Sequence, residues 1–132
     1  MLRPIRPLVV QEQDVGRDGW DDPQKGRIAW RTLFSGDQTA TEALTCGVAE
    51  LEPDGWLGLH RHSPAEIYYV LEGSGIVTLE GAEHAVSAGS AVFIPGDAEH
   101  GIRNTGPGLL RFLYALPVDA FGNVEYRFSQ SR

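Results

Sequence analysis

Sixteen glycines and eight prolines fall across this 132-residue chain. They cut its apolar sequence into short runs about 8–12 residues apart, and no stretch repeats a helical period for a useful length. Short runs bounded by turns mark an all-β sandwich or barrel. Strand candidates are residues 28–34 (IAWRTLF), 44–51, 59–62, 66–71, 76–79, 91–94 and 109–116 (LLRFLYAL). Residues 8–11 read as a short edge strand and 85–87 as another short piece. Residues 17–26 (RDGWDDPQKG) are polar and turn-rich, so a loop is expected there. Trp20 in that loop is either a lid residue or a packing anchor. The length suits a single domain: an arm and loop over 1–27, a barrel over 28–116, and a tail over 117–132 that packs on the barrel.

The chemistry concentrates in residues 55–73, GWLGLHRHSPAEIYYVLEG. On a strand, positions i and i+2 point the same way about 6–7 Å apart, so His60 and His62 can reach one ion. On a helix they would diverge, and Pro64 disfavours helical geometry at Ser63 before it. Glu66 opens the next strand. Parity then puts Glu66, Tyr68 and Val70 on one face, with Ile67 and Tyr69 on the other. A second stretch, residues 89–104 (GSAVFIPGDAEHGIRN), supplies His100. The three imidazoles and the Glu66 carboxylate form a donor set for one divalent transition-metal ion. Fe, Ni, Mn, Co and Zn all accept such ligands. A purely structural zinc site would more commonly use cysteines and close every position. The fourth histidine, His84, lies in a turn-like segment and reads as solvated.

Composition narrows the partners. A formal net charge of −7 disfavours nucleic acid, which needs a basic footprint, and an anionic membrane surface. No uncharged run is long enough to span a bilayer. The first residues, MLRPIRPLVV, lack the apolar core of a signal peptide. The one cysteine, Cys46, permits no intrachain disulfide and reads as a small core residue. A soluble cytoplasmic protein with a small-molecule partner is expected.

Together the two stretches resemble the signature motifs of the cupin superfamily, G-x5-H-x-H-x3,4-E-x6-G and G-x5-P-x-G-x2-H-x3-N. His60, His62, Glu66 and Gly73 fit the first, although one fewer residue separates Gly55 from His60. Gly89, Pro95, His100 and Asn104 fit the second. Asp97 replaces the glycine of P-x-G, and a glycine stands one place earlier at Gly96. The resemblance implies a double-stranded β-helix, or jelly-roll, barrel that is often a homodimer. The wording HSPAEIYYVLEG, GDAEHGIRN and FGNVEY is similar to that of small single-domain cupins that cleave dimethylsulfoniopropionate (DMSP) to acrylate and dimethyl sulfide. That likeness assigns the catalytic base to Tyr68 and a second pocket tyrosine to Tyr126.

On this reading the ion takes the substrate carboxylate and Tyr68 removes the α-proton in a β-elimination. Trp30, Trp56 or Tyr126 would hold the sulfonium by cation–π attraction, at about 0.5–2 kcal/mol each. Two other readings compete: a metal-dependent oxygenase or isomerase acting on another small carboxylate, and a non-catalytic cupin that binds a small molecule. Oxygen uptake separates the first from an elimination. Tolerance of substitution at Tyr68 marks the second.

Overall fold

The computed structural model describes residues 4–129. Among them, eleven strands follow in order: β1 Asp18–Asp22, β2 Gly26–Phe34, β3 Thr45–Leu51, β4 Trp56–Arg61, β5 Glu66–Glu72, β6 Ser74–Leu79, β7 Ala82–Ser87, β8 Ala91–Ile94, β9 His100–Asn104, β10 Leu110–Leu116 and β11 Arg127–Phe128. Two 3-10 turns, Glu12–Asp14 and Phe121–Asn123, are the helical pieces. One antiparallel sheet runs β7-β6-β9-β4-β2-β3-β10-β5-β8, with β1 on β2 and β11 on β4. It curls into the expected double-stranded β-helix barrel. No helix among the described residues is long and apolar enough to cross a membrane.

The period-2 alternation fixes which side chains fill the barrel. In β10, Leu110, Phe112, Tyr114 and Leu116 are buried and the residues between them are partly exposed. β5 repeats the pattern with Glu66, Tyr68 and Val70 inside and Ile67, Tyr69 and Leu71 outside. These inner faces meet Ile28, Leu51, Leu57, Val77, Ile94 and Ile102 in one core. Full burial of a side chain such as Phe112 stabilises by about 1.5–3 kcal/mol.

Four expectations need correction. Residues 8–11 form no regular strand; Val9 is 90% exposed and no neighbouring strand pairs with it. Residues 17–26 are not a loop but the β1–β2 hairpin, whose rungs run from Asp18↔Trp30 to Asp22↔Gly26. His84 lies within a strand, β7, which pairs with β6 over its whole length; the side chain is exposed. Cys46 is only partly buried, and that burial pushes its thiol pKa up.

The tail returns across the barrel. Thr45 donates from Oγ1 to the Val118 carbonyl (3.0 Å), and Asp119 Oδ1 accepts the Ala43 N–H (2.7 Å). β11 then joins β4 at His60 and Arg61, just beyond the point where β2 leaves it at Leu57. The last strand therefore lies against the segment that carries two of the predicted ligands.

Candidate metal centre and adjoining pocket

β4 and β9 place His60 directly opposite His100. His62 follows β4, the chain turns through Ser63, Pro64 and Ala65, and Glu66 opens β5. All four side chains are almost fully buried. Each imidazole points its Nδ1 at a backbone carbonyl two residues away: His60 at Gly58 (2.7 Å), His62 at Pro64 (2.9 Å) and His100 at Ala98 (2.9 Å). A carbonyl only accepts, so Nδ1 carries the proton and Nε2 is left for another partner. One ligand nitrogen from each ring lies within 4.8 Å of the others.

Glu66 lies beside two of the three rings. Its Oε1 is 3.0 Å from His62 Nε2 and 3.3 Å from His100 Nε2. Even so, His100 Nε2 is buried without a well-aligned hydrogen bond. A buried lone pair with no partner is costly, and a cation between the rings would satisfy it. The donor set of three neutral imidazoles and one carboxylate suits a divalent transition metal. The three histidines could hold such an ion.

The electrostatics follow from this crowding. Burial, followed by the nearby His100, pushes the His60 pKa down to about 3. Burial also opposes charge on His62, but the hydrogen bond and charge of Glu66 outweigh it and raise the pKa. Burial opposes ionisation of Glu66 too, yet His100 and His62 bring its pKa below the ordinary value. In the metal-free protein both shifts favour an ionised His62–Glu66 pair.

Beyond Glu66 lies a narrow cleft with a free volume of about 30 Å³. Its walls are mostly aromatic, from Trp20, Trp30, Tyr68, Phe112, Tyr114, Phe121 and Tyr126, and among the described residues Glu66 is the one charged group lining it. Tyr68 is 2% exposed, and its ring centre lies 6.2 Å from that of His100. Burial and then Glu66 push its phenol pKa well above the usual value. Tyr126 lies across the histidines, stacked on His60 at 5.0 Å and 26° and edge-on to His62 at 5.3 Å. Trp20 proves to be a wall: it packs edge-on against Trp30, Tyr126 and Phe128. Trp30 lines the cleft as well, but Trp56 does not. It faces a separate outer groove with Leu59 and Ile76.

Residues 47–116 match the sequence profile of the cupin domain. The chain belongs to the cupin family. Over 128 residues this cupin is 44% identical to the dimethylsulfoniopropionate lyase DddW of Ruegeria pomeroyi, a match covering 97% of this chain and 84% of that one. Among solved structures it resembles the polyketide cyclase RemF of Streptomyces resistomycificus, with a TM-score of 0.79 and 25% identity over 96% of this chain and 88% of that one. It also resembles a chain from the crystal structures of the DMSP lyases RdDddP and RnDddQII, with a TM-score of 0.67 and 27% identity over 94% of this chain and 61% of that one.

The cupin motif positions have distinct physical roles. Asn104 is structural: its Nδ2 donates to the Leu51 and Gly108 carbonyls (2.8 Å each), and its Oδ1 accepts the Gly106 N–H (2.9 Å). One pocket residue escaped the sequence reading. Tyr114 stands opposite Tyr68 across the β5–β10 pair. Burial pushes its phenol up, partly opposed by Thr32, and neither hydroxyl completes a hydrogen bond. The available signal was parity: Tyr114 shares an inward face with Leu110 and Phe112, but in an apolar run it reads as core.

Proposed function

We propose that this cupin is a metal-dependent lyase that cleaves DMSP to acrylate and dimethyl sulfide. The observation that carries the reading is the join at Glu66 between a three-histidine cluster and an aromatic cleft with no basic residue in its lining. DMSP has a carboxylate at one end and a sulfonium at the other. The carboxylate suits the metal-binding end, and the sulfonium suits aromatic faces, which attract cations at about 0.5–2 kcal/mol each. The DMSP lyase name of the 44% identical relative supports the same substrate.

His60, His62, Glu66 and His100 are the proposed ligands. The bound ion, whether Fe, Ni, Mn, Co or Zn, would supply Lewis acidity to the substrate carboxylate and positive charge that favours a phenolate nearby. Tyr68 is the proposed base. In the bare protein its phenol is held neutral by burial and by Glu66, so it acts only in a site that also holds positive charge. Its oxygen takes the α-proton. The C–H pair becomes the new C=C bond, the β-carbon–sulfur bond breaks, and neutral sulfide leaves with the sulfur electron pair. The step needs no oxidant. Tyr126 covers the histidines and excludes water from that end.

The same reading places the protein in the cytoplasm, consistent with its single cysteine, and pairs it with a second copy. Ile67, Tyr69, Leu71 and Phe93 are 41–66% exposed on the outer face of β5 and β8, with Ile67 in register with Phe93. A contiguous apolar face of this kind suits a homodimer.

Headspace analysis of metal-loaded protein tests the reading. Dimethyl sulfide release should fall about 10²–10⁴-fold in Tyr68→Phe with metal content unchanged. In His62→Ala the metal itself should be lost. Full release by Tyr68→Phe would remove that residue from the role, and full metal occupancy in His62→Ala would refute the ligand set.

A further inference from the structure

Asp97 departs from the cupin motif, and it occupies a backbone conformation that favours glycine, with φ at +63°. The motif glycine is displaced to position 96 for a separate reason: a Cβ there would lie 2.4 Å from the Ser63 carbonyl oxygen. Position 96 must therefore remain glycine, and position 97 carries a side chain in the left-handed region. Aspartate tolerates that region better than most residues, but glycine would sit there without strain.

The Asp97 carboxylate forms an ion pair with Arg127, half of the two-residue strand β11. Around it, the Asp97 N–H donates to the His62 carbonyl (2.8 Å), and the Asp97 carbonyl accepts from Arg61 Nη1 (2.9 Å). Arg127 also stands in register with Arg61 across the β4–β11 pair. Like charges directly opposite one another destabilise a strand pair. Glu80 lies 3.4 Å from Arg61 and Asp97 meets Arg127, so each arginine has its own acid. Next to these arginines, Phe128 faces His60 in the same register and Tyr126 stacks on the His60 ring. A strand this short cannot rely on its ladder alone.

We propose that Asp97 is a positioning residue: with Arg127 it latches the C-terminal strand to the metal-binding turn and so seats Tyr126 over the histidines. Its importance for turnover rests on the lyase reading; the latch itself does not.

The test uses full-length, metal-loaded protein carrying Asp97→Asn or Asp97→Gly. Three quantities are read: hydrogen exchange of the amides of residues 127–129, Trp20 fluorescence, and kcat and KM for DMSP. Trp20 reports because its ring packs against Tyr126 and Phe128 at 5.8 and 5.7 Å. Both variants should keep their metal, and Asp97→Gly should melt no lower than the parent because the left-handed strain is relieved. Tail exchange should rise about two- to fivefold, the scale of one part-exposed ion pair, with a red shift in Trp20 emission and a matching fall in kcat. Salt gives a second signature. It should speed tail exchange in the parent, where it screens an attraction, and slow it in Asp97→Asn, where it screens the repulsion between Arg61 and Arg127. Adding Arg61→Gln to Asp97→Asn should restore the tail.

Unchanged tail exchange and Trp20 emission in both variants would overturn the latch, as would the same salt response in parent and variant. A looser tail with kcat and KM unaltered would overturn the positioning role. A parent that releases no dimethyl sulfide, yet shows the salt reversal, would refute the lyase reading and support the latch.

Discussion

A Cβ at position 47 would lie 2.3 Å from the Tyr114 hydroxyl and 2.5 Å from the Arg31 carbonyl oxygen. Gly47 sits between Tyr114 on β10 and Thr32 on β2, and its bare backbone is what lets the phenol lean across β3. The depth of the aromatic cleft depends on that lean. Gly47→Ala should therefore cost about 1–3 kcal/mol of stability by overpacking, measurable as a lower denaturation midpoint. Metal uptake should survive, because Gly47 lies on β3, apart from the strands β4, β5 and β9 that carry His60, Glu66 and His100. Glu66 shows the same dependence on near neighbours. One oxygen serves both His62 and His100, so its ionisation is set by the rings it faces.

At the level of elements, the fold was legible wherever a strand buries one side and exposes the other. β5 and β10 follow strict alternation, and the H-x-H-x3-E spacing put three of the four clustered side chains on the page before any coordinates. What escaped were strands stabilised by partners rather than by their own apolar residues. β1 is Asp-Gly-Trp-Asp-Asp, held by pairing with β2 and by Trp20 packed on Trp30. Five of the six residues of β7 are exposed, and its pairing with β6 makes it a strand. β11 has two residues and takes its place from β4. The outer face of β5 and β8 carries the prediction proper to this scale. If two copies join there, Phe93→Glu should weaken the dimer by about 30-fold or more. Sedimentation should then fall toward the single-chain mass of 14.4 kDa, with barrel stability little changed.

For the whole molecule, the buried histidines tie stability to pH, and metal changes the pattern. In metal-free protein, the unfolded chain takes up protons below pH 6.5 that folded His60 refuses until about pH 3. Stability from this group is therefore full above 6.5 and is lost as pH falls through that window, at roughly 1.4 kcal/mol per unit. Glu66, with its pKa lowered, adds to the acid loss as pH falls through its own range. His62 works in the other direction: its raised pKa gives stability that is full below 6.5 and lost as pH rises through the folded value. Calorimetry on chelated protein should show a melting maximum near pH 6.5. Metal requires His62 without that proton, so loading should remove the alkaline decline and steepen the acid one. The carbonyls of Gly58, Pro64 and Ala98, each two positions from the imidazole it aims, also have an evolutionary consequence. Such tethers would make an ion's socket self-contained, so that mutation could remodel what the barrel admits without disturbing the fitting at its base.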